Sequence, residues 1–208
     1  MCRRGFVVFY LEYPLVPDVD IFTVFRALTL GIERAAAIAP DYGGDASKLL
    51  LCGDSAGAHL CVYLAAMQKN AAMARAAGVP SLTPDVAALG LISGMFYTTR
   101  PDSIGIFLPT MVYGRGWRHA PFREYIDPEN PALIRALPPC FLVTVRGDFL
   151  RRYSRDFAAA LKKNGAQAEL LDMDEPEKLS HAFAAMLPET SAAQRSNAVM
   201  ADFLKAHI

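Results

Sequence analysis

Five short apolar runs punctuate the chain, and the stretches between them carry helical spacing. The runs are Gly5 to Glu12, Lys48 to Cys52, Val86 to Ile92, Phe141 to Val145 and Gln167 to Met173. Strands that are nearly continuous in hydrophobic residues are buried on both faces. That is the property of a parallel sheet covered by helices on either side. An α/β fold is expected. The first run should be a buried strand that begins almost at Met1, ended by Tyr13-Pro14-Leu15-Val16-Pro17-Asp18, whose prolines forbid a continuing ladder.

The helical stretches have readable ends. Ile21, Val24, Phe25, Leu28, Ile32, Ala35 and Ala39 share a face, with Asp20 as N-cap and Pro40 as the stop. A second helix is expected from about Ala56 to Ala77, with Leu60, Leu64 and Met67 aligned. Arg152 to Lys163 reads as a third, ended by Asn164-Gly165. Ser191 and Gln194 form a capping box before a last helix with Val199, Met200, Phe203 and Leu204 on its apolar face. Residues 94–130 are rich in Gly, Pro and aromatics and are expected as an irregular insertion that shapes a substrate pocket. No repeat, linker or low-complexity tract divides residues 1–208, so one domain is expected.

Composition excludes several classes of function. Lys+Arg and Asp+Glu number 21 each, so the chain has no electrostatic footprint for nucleic acid. A 53% apolar and 20% charged content is that of a globular chain, not a disordered one. The longest early apolar run, Gly5 to Leu11, is far too short to span a membrane, and the Met1-Cys2-Arg3-Arg4 start is expected to lead into a strand rather than a cleavable leader. Cys2, Cys52, Cys61 and Cys140 form no C-x-x-C pair. Cys52, Cys61 and Cys140 sit in apolar surroundings and are expected as buried free thiols, which fits a cytoplasmic location.

Gly53-Asp54-Ser55-Ala56-Gly57 fits the G-x-S-x-G nucleophile elbow, with a strand before it and a helix after it. Such a turn strains Ser55 so that its Oγ projects from the strand end, and glycines on either side admit close neighbours. The Ala56 N–H, at the helix N-terminus, is the expected oxyanion donor. A serine needs a base, and the base an orienting carboxylate, in the chain order Ser, acid, His. Of four histidines, His59 shares the rigid helix of Ser55 and is expected as a core residue. His119 lies in the insertion, with a pocket or surface role, and the penultimate His207 is expected to be frayed. His181 follows the last strand and the acidic loop that begins at Asp174, where the base belongs. Asp148 follows the fourth run, with Gly147 permitting the turn. The expected catalytic set is Ser55, Asp148 and His181. Phe96, Tyr97, Phe107, Tyr113 and Trp117 are expected to line the pocket or to pack the insertion.

These residues resemble the hormone-sensitive-lipase-like esterases of the α/β-hydrolase fold. Gly53-Asp54-Ser55-Ala56-Gly57 is similar to that family's Gly-Asp-Ser-Ala-Gly elbow, although Ala58 replaces the glycine that follows. Tyr13-Pro14-Leu15-Val16-Pro17-Asp18 resembles its Tyr-Arg-Leu-Ala-Pro-Glu stretch. Leu137-Pro138-Pro139 with Gly147-Asp148 resembles the acid-bearing region, and His181-Ala182-Phe183 its His-Gly-Phe. The resemblance implies a three-layer sandwich with a mostly parallel sheet, amino-terminally truncated. It implies hydrolysis of a small-molecule ester through an acyl-enzyme, with no cofactor and no metal. The family's His-Gly-Gly-Gly oxyanion loop has no counterpart, since Gly43-Gly44 lies in the wrong place. The strand that bears that loop belongs between the first two runs, so either a gap or direct pairing of those runs is expected. An open edge there favours a homodimer. Two other readings remain: a binding protein or impaired fragment on the same fold, and a serine peptidase of the prolyl-oligopeptidase type.

Overall fold

Four parallel strands make the sheet in this computed structural model, which describes residues 1–174 and 179–208. They are β1 (Leu49–Asp54), β2 (Val86–Ile92), β3 (Cys140–Val145) and β4 (Ala168–Met173), side by side in chain order. Gly53, Leu91, Leu142 and Leu170 form one row across them. The helices are α1 (Ile21–Ile38), α2 (Ala56–Lys69), α3 (Ala71–Ala77), α4 (Leu108–Tyr113), α5 (Pro131–Ile134), α6 (Arg151–Lys163), α7 (Phe183–Met186) and α8 (Ser191–Lys205).

Strand periodicity sorts the core into two layers. Leu89, Leu91 and Leu142 join Phe25 of α1, Tyr63 of α2 and Phe157 of α6 on one face. Ala88, Ile92, Phe141 and Val143 join Met200, Phe203 and Leu204 of α8 on the other. Each fully buried Leu or Phe contributes about 1.5–3 kcal/mol. Gly90 sets how closely α8 rests on the sheet. A Cβ there would lie 2.8 Å from Met200 Sδ and 2.9 Å from Cys52 Sγ.

The Gly5 to Glu12 run is not a strand. It has no regular secondary structure and no ladder partner among the described residues, and it exposes Val8 and Tyr10. Its apolar side leans on other elements: Phe9 meets Tyr42 edge-on at 5.8 Å, and Leu11 lies against Gly31 of α1. A short turn over Cys2–Arg4 precedes it. Neither of the two arrangements expected is found, because the first run does not join the sheet. Hydrophobicity marks a segment that seeks burial, but a strand also needs a neighbour to bond. For the same reason β1 is an edge strand, and Cys52 is exposed rather than buried. Cys61 and Cys140 are buried.

Several helix ends also differ from expectation. Asp20 caps α1, accepting the Thr23 N–H at 2.7 Å. However, α1 stops at Ile38, and Pro40 lies inside a following 3-10 turn, Ala39–Tyr42. The single helix expected over residues 56–77 is divided at Asn70, whose side chain accepts the Met73 N–H and caps α3. The cap of α8 is Thr190 rather than Ser191, with Thr190 Oγ1 accepting the Ala193 N–H at 3.2 Å. Val199 of α8 is exposed. His207 is not frayed: Nδ1 meets the Phe203 carbonyl and Nε2 meets Gln167, each at 2.7 Å. Within the acidic loop expected over Asp174 to His181, residues 175–178 lie outside the described residues. No helix among the described residues is long and apolar enough to cross a membrane.

Candidate active site

Where β1 gives way to α2, Ser55 has φ 51° and ψ −115°. A non-glycine residue rarely adopts that region, and it must be held there by its surroundings. The end of β2 does the holding. The Ser55 N–H donates to the Ile92 carbonyl at 2.9 Å, and the Ser55 carbonyl accepts the Met95 N–H at 3.1 Å. Gly53 is required because a Cβ there would lie 2.4 Å from the Gly57 carbonyl carbon. Gly57 differs from expectation, since an added Cβ would meet nothing within 4 Å. Ala56 is the first residue of α2, where backbone N–H groups have no intrahelical acceptor and the helix dipole favours negative charge.

Asp148 lies in the turn between β3 and α6, its side chain fully buried. Its Oδ2 accepts the Thr144 hydroxyl at 3.0 Å. Its Oδ1 accepts the Leu150 N–H at 2.9 Å and meets His181 Nδ1 at 2.8 Å. A carboxylate only accepts, so Nδ1 is the protonated nitrogen in this contact, and the neutral tautomer that fits it has its lone pair at Nε2. Gly147 brings the two loops together, since a Cβ there would fall 2.0 Å from the Leu179 carbonyl oxygen. The ring of Phe149, itself exposed, lies tilted against that of His181, with centroids 4.4 Å apart. The turn after His181 is tied to β2: the Ala182 N–H donates to Ser93 Oγ at 3.0 Å. Ser55 and the His181 turn are thus both anchored to the Ile92-Ser93 step. Ser55 Oγ makes no hydrogen bond among the described residues.

The other histidines stand apart. His59 is buried on α2, its ring 4.5 Å from that of Tyr63, with neither nitrogen hydrogen-bonded among the described residues. Burial pushes its imidazole down to about 4, opposed in part by the nearby backbone of Phe96 and Met95. His119 lines a recess of about 610 Å³ with Arg118, Ala120, Pro121, Arg123 and Glu124, a lining that includes none of Ser55, Asp148 and His181.

The five aromatics of the insertion do different work. Phe96 is buried and stacks on Phe157 at 4.4 Å. Tyr97 donates to Glu129 at 2.7 Å beneath the Arg100 guanidinium, 3.3 Å from the ring centre. Tyr113 pairs with Thr98 at 2.9 Å, and Trp117 packs half-buried against the core. Phe107 is the one of the five that exposes its ring. Sequence reasoning passed over Thr144, Phe149 and Ser93. Thr144 is the one polar residue inside the Phe141 to Val145 run, and Ser93-Gly94 follows an apolar strand; both are signals that could be read. Nothing in the sequence marks Phe149.

Residues 2–185 match the family described as alpha/beta hydrolase fold. The chain belongs to that family. This is the hormone-sensitive-lipase-like, carboxylesterase-like lineage that the elbow resembles. The alpha/beta hydrolase chain is similar to the probable isoprenylcysteine alpha-carbonyl methylesterase ICME of Oryza sativa subsp. japonica. The two are 28% identical over 181 residues, covering 82% of this chain and 44% of the relative. Among solved structures, esterase B from Lactobacillus rhamnosis superposes with a TM-score of 0.84 at 20% identity, covering 94% of this chain and 64% of that one. The hyperthermophilic esterase from Pyrobaculum calidifontis gives 0.70 at 20% identity, with the same coverage of 94% and 64%. The alpha/beta hydrolase chain therefore spans less than half the length of the curated relative and about two thirds of these structures.

Proposed function

We propose that the chain is a serine carboxylic-ester hydrolase acting on small or acylated esters. The observation that carries this reading is the His181–Asp148 pair at 2.8 Å, tied to the same strand end that holds Ser55 at φ 51°. Ser55 Oγ attacks the ester carbonyl carbon while His181 Nε2 takes its proton. Asp148 fixes the tautomer and stabilises the imidazolium. The Ala56 N–H receives the tetrahedral oxyanion. Collapse expels the alcohol, which takes the proton back from Nε2, and leaves an acyl-enzyme. His181 then activates water, which releases the acid and restores Ser55. Relatives named as esterases and a methylesterase support an ester over an amide. Phe149 and Phe107 offer apolar surface to the acyl or alcohol group. The buried free thiols Cys61 and Cys140 support a cytoplasmic location.

A second reading is a catalytically impaired member of the fold. It is favoured by the open edge of β1, with Ala56 as the one oxyanion donor proposed on the described residues. Loss of a donor costs about 100- to 1,000-fold in rate. Intact-mass labelling with a fluorophosphonate separates the readings. The first expects a single adduct that Ser55→Ala abolishes, followed by turnover in a panel of methyl and acyl esters. A folded chain that takes no label supports the second.

A further inference from the structure

We propose that Ser93 is a positioning residue for the base: its hydroxyl locks the turn that presents the His181 imidazole toward Ser55. The proposal rests on the reading of Ser55, Asp148 and His181 as one catalytic set. Three observations lead to it.

Strain is concentrated. Among the described residues the non-glycine positions with positive φ are Ser55 (51°), Ser93 (49°) and Ala182 (56°). Positive φ is uncommon for such residues and persists only where the structure over-determines it. These three are scattered in sequence yet joined in space. Ser55 bonds to the Ile92 carbonyl, the residue before Ser93, and Ser93 Oγ accepts the Ala182 N–H at 3.0 Å.

Ser93 is also fixed and fully buried. Its N–H donates to the Val143 carbonyl at 2.8 Å, which anchors it to β3, the strand that leads to Asp148. One serine therefore touches the strand of the acid, the turn of the base and the strand end that holds the nucleophile.

The His181 turn needs a second support. Asp148 restrains the ring through Nδ1 alone, a single bond about which the imidazole can swing. The Gly147–Leu179 approach restrains the chain before His181. The Ser93–Ala182 bond restrains the chain after it. With both supports, Nε2 has one direction.

Ser93→Gly is the informative variant. Glycine adopts φ 49° without strain, so the substitution removes the hydroxyl while sparing the backbone. Ser93→Ala removes the hydroxyl and keeps the strain. Both are made in the full chain beside the wild type. Four quantities are read: melting temperature, hydrogen exchange of the Ala182 amide, the rate of fluorophosphonate labelling at Ser55, and kcat and KM on a p-nitrophenyl ester. For Ser93→Gly the expected result is a modestly lower melting temperature, because relief of strain offsets only part of the lost buried hydrogen bond, with faster Ala182 exchange. Labelling and kcat should both fall about 10- to 100-fold while KM holds within about twofold. Labelling at the wild-type rate overturns the proposal, as does a fall that vanishes once corrected for the folded fraction. A wild-type chain that takes no label overturns the catalytic reading and the proposal with it, and that failure shows in the wild type rather than in the variant.

Discussion

Asp148 spends its acceptor capacity on Thr144, Leu150 and His181, which fixes its carboxylate before any substrate arrives. Asp148→Asn keeps the volume but points an amide at Nδ1, so the imidazole takes the other tautomer and loses its lone pair at Nε2. Ser55 labelling is expected to fall by about 10,000-fold with little change in melting temperature. Thr144→Val should cost less, since one neutral hydrogen bond contributes about 0.5–1.5 kcal/mol; thermal melts and labelling rates check both. His59 gives a pH prediction of a different kind. Burial lowers its folded value from 6.5 to about 4. Between those values the unfolded chain takes a proton that the folded chain refuses. The stability is therefore intact above 6.5 and declines as pH falls across that window. Urea unfolding at pH 7 and near pH 4.5 should show the wild type losing about 1–3 kcal/mol more than His59→Leu.

Elements place these residues through a few close approaches. Gly147 is the tightest, and Gly147→Ala would drive a methyl group into the Leu179 carbonyl. The expected outcome is a lower melting temperature and a labelling rate reduced beyond what the folded fraction explains. Gly57→Ala should leave folding unchanged by collision, because open space surrounds that position. The contrast shows what a motif conveys. G-x-S-x-G located the strand-to-helix join and the strained serine, yet of its two glycines only Gly53 answers to packing. The four paired strands were legible because each is an apolar run bounded by turn residues. Gly5 to Glu12 carried the same signal and failed, since composition records a wish for burial and not the presence of a bonding neighbour. The division at Asn70 was missed because Ala-rich sequence on both sides continues the helical pattern, and a capping side chain is visible only once its N–H partner is placed. The Asp148–His181 pairing was legible through chain order. The place of Ser93 at a strand end was legible too, but its φ and its partner, 89 residues away, are properties of the folded chain.

At the scale of the molecule, α/β/α layering covers both faces of the sheet but leaves the outer edge of β1 without a strand among the described residues. Unpaired edge groups are templates for another strand. Light scattering across a concentration series is expected to show a mass rising above the 22.7 kDa of one chain, and Cys52→Lys, which charges that edge, should suppress the rise. A mass that stays constant would remove the edge as a site of association. The strand order has a consequence of its own. Because β1, β2, β3 and β4 stand in space as they stand in sequence, each strand after β1 leaves the ribosome to meet a partner already made. The serine turn and its helix emerge before the carboxylate, and the imidazole only after β4. Synthesis itself thus keeps the proposed nucleophile unarmed until the four strands that support it are made.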